Sequence, residues 1–188
     1  MNDLRIIQDL NKDKLNTKLT NYDLILAPNI FSNYSKHELY NKLIDEIKQQ
    51  KTDNILLNWN GNAHLILDEK YIELLPTFKI IIDTLQNFFN IKIIKTRLNY
   101  YNNTHWKPFH CDSYGQNITI SLSLGNTRNL LFKKHDTNTT ICIPQIDSNV
   151  YAFTKLTNLN WLHSVEKNTI HNADDLDTRI SIICWGII

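Results

Sequence analysis

The chain reads as α+β, mainly β: a double-sheet jelly roll (a double-stranded β-helix) with N-terminal helices packed on one sheet. Three observations predict this. Two apolar stripes at helical spacing lie in the first half, over residues 35–47 and 76–89. The second half breaks into many short alternating or apolar runs bounded by turn residues. The 188 residues, 42% hydrophobic and 21% charged, suffice for one buried core without an internal repeat or low-complexity linker. The whole chain, residues 1–188, is therefore read as one domain. Residues 1–90 carry the helices and a substrate lid, and residues 91–188 the jelly-roll core.

Residues 1–20 mix polar and apolar positions without a period and read as a loosely held arm. Tyr22 to Ala27 reads as a short strand stopped by Pro28. Ser35 followed three residues later by Glu38 is a capping-box pattern, and Leu39, Leu43 and Ile47, with Tyr40 and Ile44 beside them, form the buried stripe of the helix that follows. Asn54 to Asp68 reads as two strands joined around Asn60-Gly61, a tight-turn dipeptide. Trp59 beside that turn is either a core or rim aromatic or a lid side chain that stacks on a planar substrate. His64 is read as structural.

Pro76 opens a second helix to about Asn87, with Phe78, Ile81, Ile82, Leu85 and Phe89 as its buried face. Ile91 to Tyr101 reads as a strand with Ile94, Thr96, Leu98 and Tyr100 on one face and Lys95, Arg97, Asn99 and Tyr101 on the other. Asn117 to Leu124 alternates Ile118, Ile120, Leu122 and Leu124 against Thr119, Ser121 and Ser123. Further strands are expected at Asn129–Lys134, Thr139–Ile143 and Val150–Thr154, and Arg179–Ile188 is expected to close the sheet.

A formal net charge of +1 provides no strong electrostatic footprint for nucleic acid. Lys92, Lys95, Arg97 and Lys107 form at most a local basic strip and are read as a solvated strand face. The N-terminal stretch is neither a secretory signal nor a membrane span, and no run of about 18 uncharged apolar residues occurs. Cys111, Cys142 and Cys184 are odd in number and widely spaced. They imply neither a disulfide framework nor a zinc ribbon and suit a reducing, intracellular setting, cytoplasm or nucleus.

The chemistry concentrates in Asn99 to Asp112, NYYNNTHWKPFHCD. On a strand, His110 and Asp112 project to the same side. With one remote histidine they would make the 2-His-1-carboxylate set that holds Fe(II) and leaves coordination positions open. His163 can supply that ligand, and Arg179 offers a two-pronged fork for a carboxylate. There is no Walker loop, no GxGxxG and no paired CxxC, and Ser113 lacks the nucleophile elbow of a hydrolase. The acidic run Asp174-Asp175-Leu176-Asp177 is read as a solvated loop. His105, His135 and His171 are read as loop histidines, with His105 nearest the pocket edge.

Asn99-x-Tyr101, His110-x-Asp112, His163 and Arg179, in that order and spacing, resemble the AlkB family of Fe(II)- and 2-oxoglutarate-dependent dioxygenases. The intervening ISLSLGNTRNLLFKK, WLHSVEK and RISIICW resemble the family's strand-turn-strand, second-histidine segment and final arginine strand, so the likeness spans roughly residues 91–188. The resemblance implies that His110, Asp112 and His163 ligate Fe(II). It implies too that Asn99, Tyr101 and Arg179 hold 2-oxoglutarate, with Ser181 as a polar helper. The implied reaction couples decarboxylation of 2-oxoglutarate to hydroxylation of a C–H bond; on the N-methyl group of an alkylated DNA or RNA base it releases formaldehyde, as in DNA repair.

Two positions depart from the family. Trp185 stands where a second arginine usually follows the first by six residues, and it offers one N–H donor and no cation. Tyr114 stands where repair enzymes carry an acidic side chain, and with Trp59 it is a candidate to stack on a base. No membrane or protein partner is implied, and a monomer would suffice. Two other readings remain: the same chemistry on a protein side chain or small molecule, or a catalytically silent binding module. A pocket mouth without Lys or Arg would favour the protein side-chain or small-molecule reading.

Overall fold

The computed structural model describes residues 4–49, 65–113, 115–167 and 176–188. Eleven strands and three α-helices are present among them: β1 (Arg5–Gln8), β2 (Asp23–Ala27), α1 (Glu38–Gln49), β3 (Leu65–Asp68), α2 (Pro76–Phe89), β4 (Lys92–Tyr101), β5 (Lys107–His110), β6 (Ile118–Gly125), β7 (Arg128–Lys134), β8 (Thr140–Gln145), β9 (Val150–Thr154), α3 (Lys155–Asn160), β10 (Trp161–Val165) and β11 (Arg179–Ile187). A 3-10 helix (Glu69–Leu74) joins β3 to α2. None of these helices is long and apolar enough to cross a membrane.

The chain is mainly β, in two sheets. The larger has seven strands in the order β1-β2-β9-β6-β11-β4-β3, and the smaller has four in the order β5-β10-β7-β8. All pairs are antiparallel except β1 with β2. β11 does not close the sheet as its late position suggests. It is hydrogen-bonded to β6 on one side and β4 on the other, which suits a nine-residue strand that is buried on both faces.

Three layers result. Leu39 and Leu43 of α1 and Phe78, Ile81, Leu85 and Phe88 of α2 pack on Leu98, Ile120, Leu122, Leu124, Ile180 and Ile182 of the large sheet. On its opposite face, Leu24, Tyr101, Tyr151 and Phe153 meet Leu130, Phe132, Trp161 and Val165 of the small sheet. The alternation read from β6 therefore has a different meaning from that of a half-solvated strand. Its polar face, Thr119, Ser121 and Ser123, is also buried, because it lies between the sheets. Buried hydroxyls need partners, so this inner face is where polar chemistry concentrates.

Local signals explain the helix limits. Pro76 occupies the first turn of α2, where no N–H partner is needed. Asn90 ends that helix in the left-handed region (φ 50°), donating to Asn87 O and Gln86 O. α1 starts at Glu38, later than Ser35 suggests, because His37 is itself left-handed at φ 63°. Only half of the capping box forms: Glu38 Oε2 accepts from the Ser35 N–H at 3.0 Å, while the Glu38 N–H goes to Ser35 O.

The N-terminal segment is not a loose arm. Arg5 grips the buried Asp23 with two bonds of 2.6 and 2.8 Å, Thr20 adds two more, and β1 lies in register beside β2. A four-residue strand in a polar context has no period to betray it. Burial alone would raise the Asp23 carboxyl, but the Arg5 and Thr20 hydrogen bonds outweigh it and hold it below the usual range. Because the folded value is depressed, this stabilisation is complete above the unfolded aspartate's pKa, about 3.9, and fades as pH falls through the folded value. Arg5→Ala should lower the melting temperature near neutral pH, and its deficit against wild type should shrink on acidification.

Gly125 ends β6 at φ +86°, and a Cβ there would lie 2.5 Å from Thr178 O. Gly125→Ala should cost about 1–3 kcal/mol, read by chemical denaturation, since both the backbone region and the space are closed to it.

Candidate metal centre

β5 and β10 run antiparallel with His110 directly opposite His163. Their rings lie 4.2 Å apart between centroids. Asp112 is not on the strand as expected, since β5 ends at His110. Its backbone is instead fixed by Asn158 of α3, which accepts from the Asp112 N–H and donates to the Asp112 carbonyl, both at 2.9 Å. Asp112 Oδ1 then stands 3.8 Å from His110 Nε2 and 3.7 Å from His163 Nε2. Nitrogen and oxygen donors of all three converge within 4.8 Å of one another.

The other atoms of His110 and Asp112 are held by hydrogen bonds, whereas His163 Nδ1 is buried without a hydrogen-bond partner among the described residues. His110 Nδ1 lies 2.9 Å from Pro108 O, and a carbonyl only accepts, so Nδ1 carries the proton and Nε2 presents its lone pair. Asp112 Oδ2 accepts from Trp185 Nε1 at 2.9 Å and from Thr119 Oγ1 at 3.1 Å. His163 packs on Phe153 and Phe132. Burial pushes His163 down to about 4 and lowers His110 as well, against the pull of Asp112. Both imidazoles are thus neutral at pH 7, the form that ligates.

A second group of polar side chains sits on the large sheet. In the pairing of β4 with β11, Tyr101 lies opposite Arg179 and Asn99 opposite Ser181. Arg179 is 1% exposed; its Nε donates to Ser123 Oγ at 2.8 Å and its guanidinium stands 5.1 Å over the Tyr101 ring. Its Nη1 has no hydrogen-bond partner among the described residues, nor has Asn99 Oδ1. No carboxylate within salt-bridge distance faces Arg179 among those residues. A buried guanidinium without a counter-ion is costly, and an anionic ligand would relieve it. Ser181 Oγ bonds Ser121 Oγ at 3.0 Å.

One cavity of about 180 Å³ is bordered by the three donors and by part of the second group; Arg179 itself is not among the residues that line it. Tyr101, Asn99 and Ser181 line it together with His110, Asp112 and His163. Trp59 and Tyr114 lie outside the described residues, as do His171, His64 and most of the acidic run. His105 does not line the cavity; its ring accepts from the Asn102 N–H at 3.4 Å. Arg97 and Lys107, read as part of a solvated face, do line it.

Four contributors were missed. Thr119 and Asn158 hold Asp112. Tyr151 lines the cavity, bonds Ser121, and is pushed up to about 12 by burial, so it remains a hydroxyl donor. Arg128, 1% exposed, donates to the carbonyls of Asn102, His105 and Glu166, tying the β4–β5 connection to the end of β10. Burial and the neighbouring Arg179 lower Arg128 to about 10. Only the placement of Thr119 on the polar face of β6 was visible in the sequence.

No family model and no curated protein matches this chain.

The donor set fits a divalent first-row metal, and removing any ligand should abolish its binding. Asn158→Ala keeps all three ligands but frees the Asp112 backbone. It should weaken Co(II) affinity on the order of 10-fold in an anaerobic titration, the scale expected of groups that orient metal ligands.

Proposed function

We propose that the chain is an Fe(II)- and 2-oxoglutarate-dependent dioxygenase of the AlkB type, its two sheets forming a double-stranded β-helix, acting on N-alkylated bases of DNA or RNA. One observation carries the reading: a His-Asp-His donor set shares a cavity wall with strands that bury an arginine lacking a counter-ion. A hydrolytic zinc site can use similar ligands but has no need of that arginine.

His110, Asp112 and His163 would hold the iron. Arg179 would take the carboxylate remote from the metal, with Tyr101, Asn99 and Ser181 as further hydrogen-bonding groups. Bound together, Fe(II), 2-oxoglutarate and oxygen supply oxidation of a C–H bond, giving succinate and CO2, and formaldehyde from an N-methyl group. The protein's own contribution is to keep two imidazoles neutral, hold the aspartate in place and provide a fixed cation in a largely buried site.

Arg97 and Lys107 at the cavity favour a substrate bearing phosphates over a neutral one. With a net charge of only +1, such binding would depend on this local pair. The test is release of succinate and formaldehyde across a panel of methylated DNA and RNA oligonucleotides, with Asp112→Ala as control. Wild type should turn over at least one oligonucleotide and Asp112→Ala none. Turnover surviving in Asp112→Ala would refute the metal assignment. Succinate formed with no oligonucleotide product would move the substrate to a protein side chain or small molecule.

Arg179→Met separates cosubstrate binding from folding. It should weaken 2-oxoglutarate binding by about 2–5 kcal/mol in calorimetric titration, the range for losing a buried charge-assisted contact. Without cosubstrate its melting temperature should be no lower than wild type's, because the substitution removes a buried, unneutralised charge.

A further inference from the structure

We infer that Trp185 is a positioning residue of the metal centre, and that with Thr119 it reserves one oxygen of Asp112 for the metal. The inference rests on the metal assignment alone and not on the substrate. Trp185 is 2% exposed, and its only N–H points at Asp112 Oδ2 from 2.9 Å. Thr119 donates to the same oxygen at 3.1 Å, and is free to do so because its own oxygen accepts from Gln116 Nε2 at 3.3 Å. Oδ1 is the carboxylate oxygen that faces both imidazoles.

The consequence is a one-oxygen ligand. A carboxylate with both oxygens free can swing to grip a metal with two, which consumes a coordination position. Two donors on Oδ2 oppose that rotation and leave the position open for exogenous ligands. Both donors are neutral. An arginine at position 185 would place a full positive charge beside the carboxylate, drawing electron density from Oδ1 and competing with the metal for it. An indole fixes the geometry with less of that competition, and the Arg97 guanidinium stands over its ring, 5.5 Å from the centroid. Trp185 pairs in register with Thr119 across β11 and β6, so one ladder position places both donors.

The experiment is anaerobic Co(II) titration of the full-length protein, recording affinity and the visible ligand-field spectrum, with thermal melts of the metal-free proteins alongside. Wild type should bind one Co(II). Trp185→Phe, which keeps an aromatic ring and removes the N–H, should bind on the order of 10-fold more weakly and with an altered spectrum. Thr119→Val should lose affinity that Thr119→Ser restores. The double variant Trp185→Phe/Thr119→Val should lose most. If these variants melt like wild type and bind Co(II) with its affinity and spectrum, the inference is wrong. Should Trp185→Phe fail to fold, the Thr119→Val and Thr119→Ser pair decides the matter alone. If wild type binds no Co(II), the metal assignment itself fails, which is a separate outcome.

Discussion

Everything at the site depends on the register of β11 between β4 and β6. In that register Arg179 is opposite Tyr101, Ser181 is opposite Asn99 and Ser123, and Trp185 is opposite Thr119. Side chains alternate along a strand, so Ile180, Ile182 and Cys184 enter the core beneath the helices while the residues between them face the small sheet. A slip of one residue would send Arg179 into that apolar core and an isoleucine into the cavity. The fully apolar face of β6 makes such a slip very unfavourable, because Ile118, Ile120, Leu122 and Leu124 have no other place to be buried.

The small sheet adds the second half by the same means. β10 places His163 opposite His110, and its packing on Phe153 of the large sheet fixes the distance between the two layers. Asp112, just beyond β5, is tied to both layers. Its backbone is bound by Asn158 from α3, and its side chain by Thr119 and Trp185 from the large sheet. Charge is distributed to match. The metal end holds a single carboxylate and two imidazoles kept neutral by burial, whereas the other end buries Arg179 beside Arg128 with no acidic partner among the described residues. A positively charged region thus lies next to a donor set compatible with a metal ion.

Much of this was legible in the sequence where a period or a cap imposed it. The helical stripe after Pro76, the two faces of Lys92–Tyr101 and the alternation of Ile118–Leu124 each lie where the pattern put them. Of the six residues singled out as metal- or cosubstrate-binding, five line one cavity, as does Ser181, while Arg179 lies over the Tyr101 ring and is not in the lining. What escaped has a common cause. β1 is held by an ion pair between Arg5 and the buried Asp23 and not by apolar periodicity. The burial of Arg128 and Tyr151 is a property of two sheets meeting, which no local window contains. Asp112 is positioned by Asn158, forty-six residues away. Trp185 was visible as a departure from the pattern of the family the sequence resembles, but its N–H bond to Asp112 requires three dimensions.

Under the proposed function, His110, Asp112 and His163 bind a metal and Arg179 anchors a 2-oxoacid beside it. Anaerobic absorption spectroscopy tests it without any substrate. Adding Fe(II) and 2-oxoglutarate together should produce a visible charge-transfer band that neither gives alone, and that Asp112→Ala lacks. Absence of the band with wild-type protein at saturating Fe(II) and 2-oxoglutarate would contradict the account.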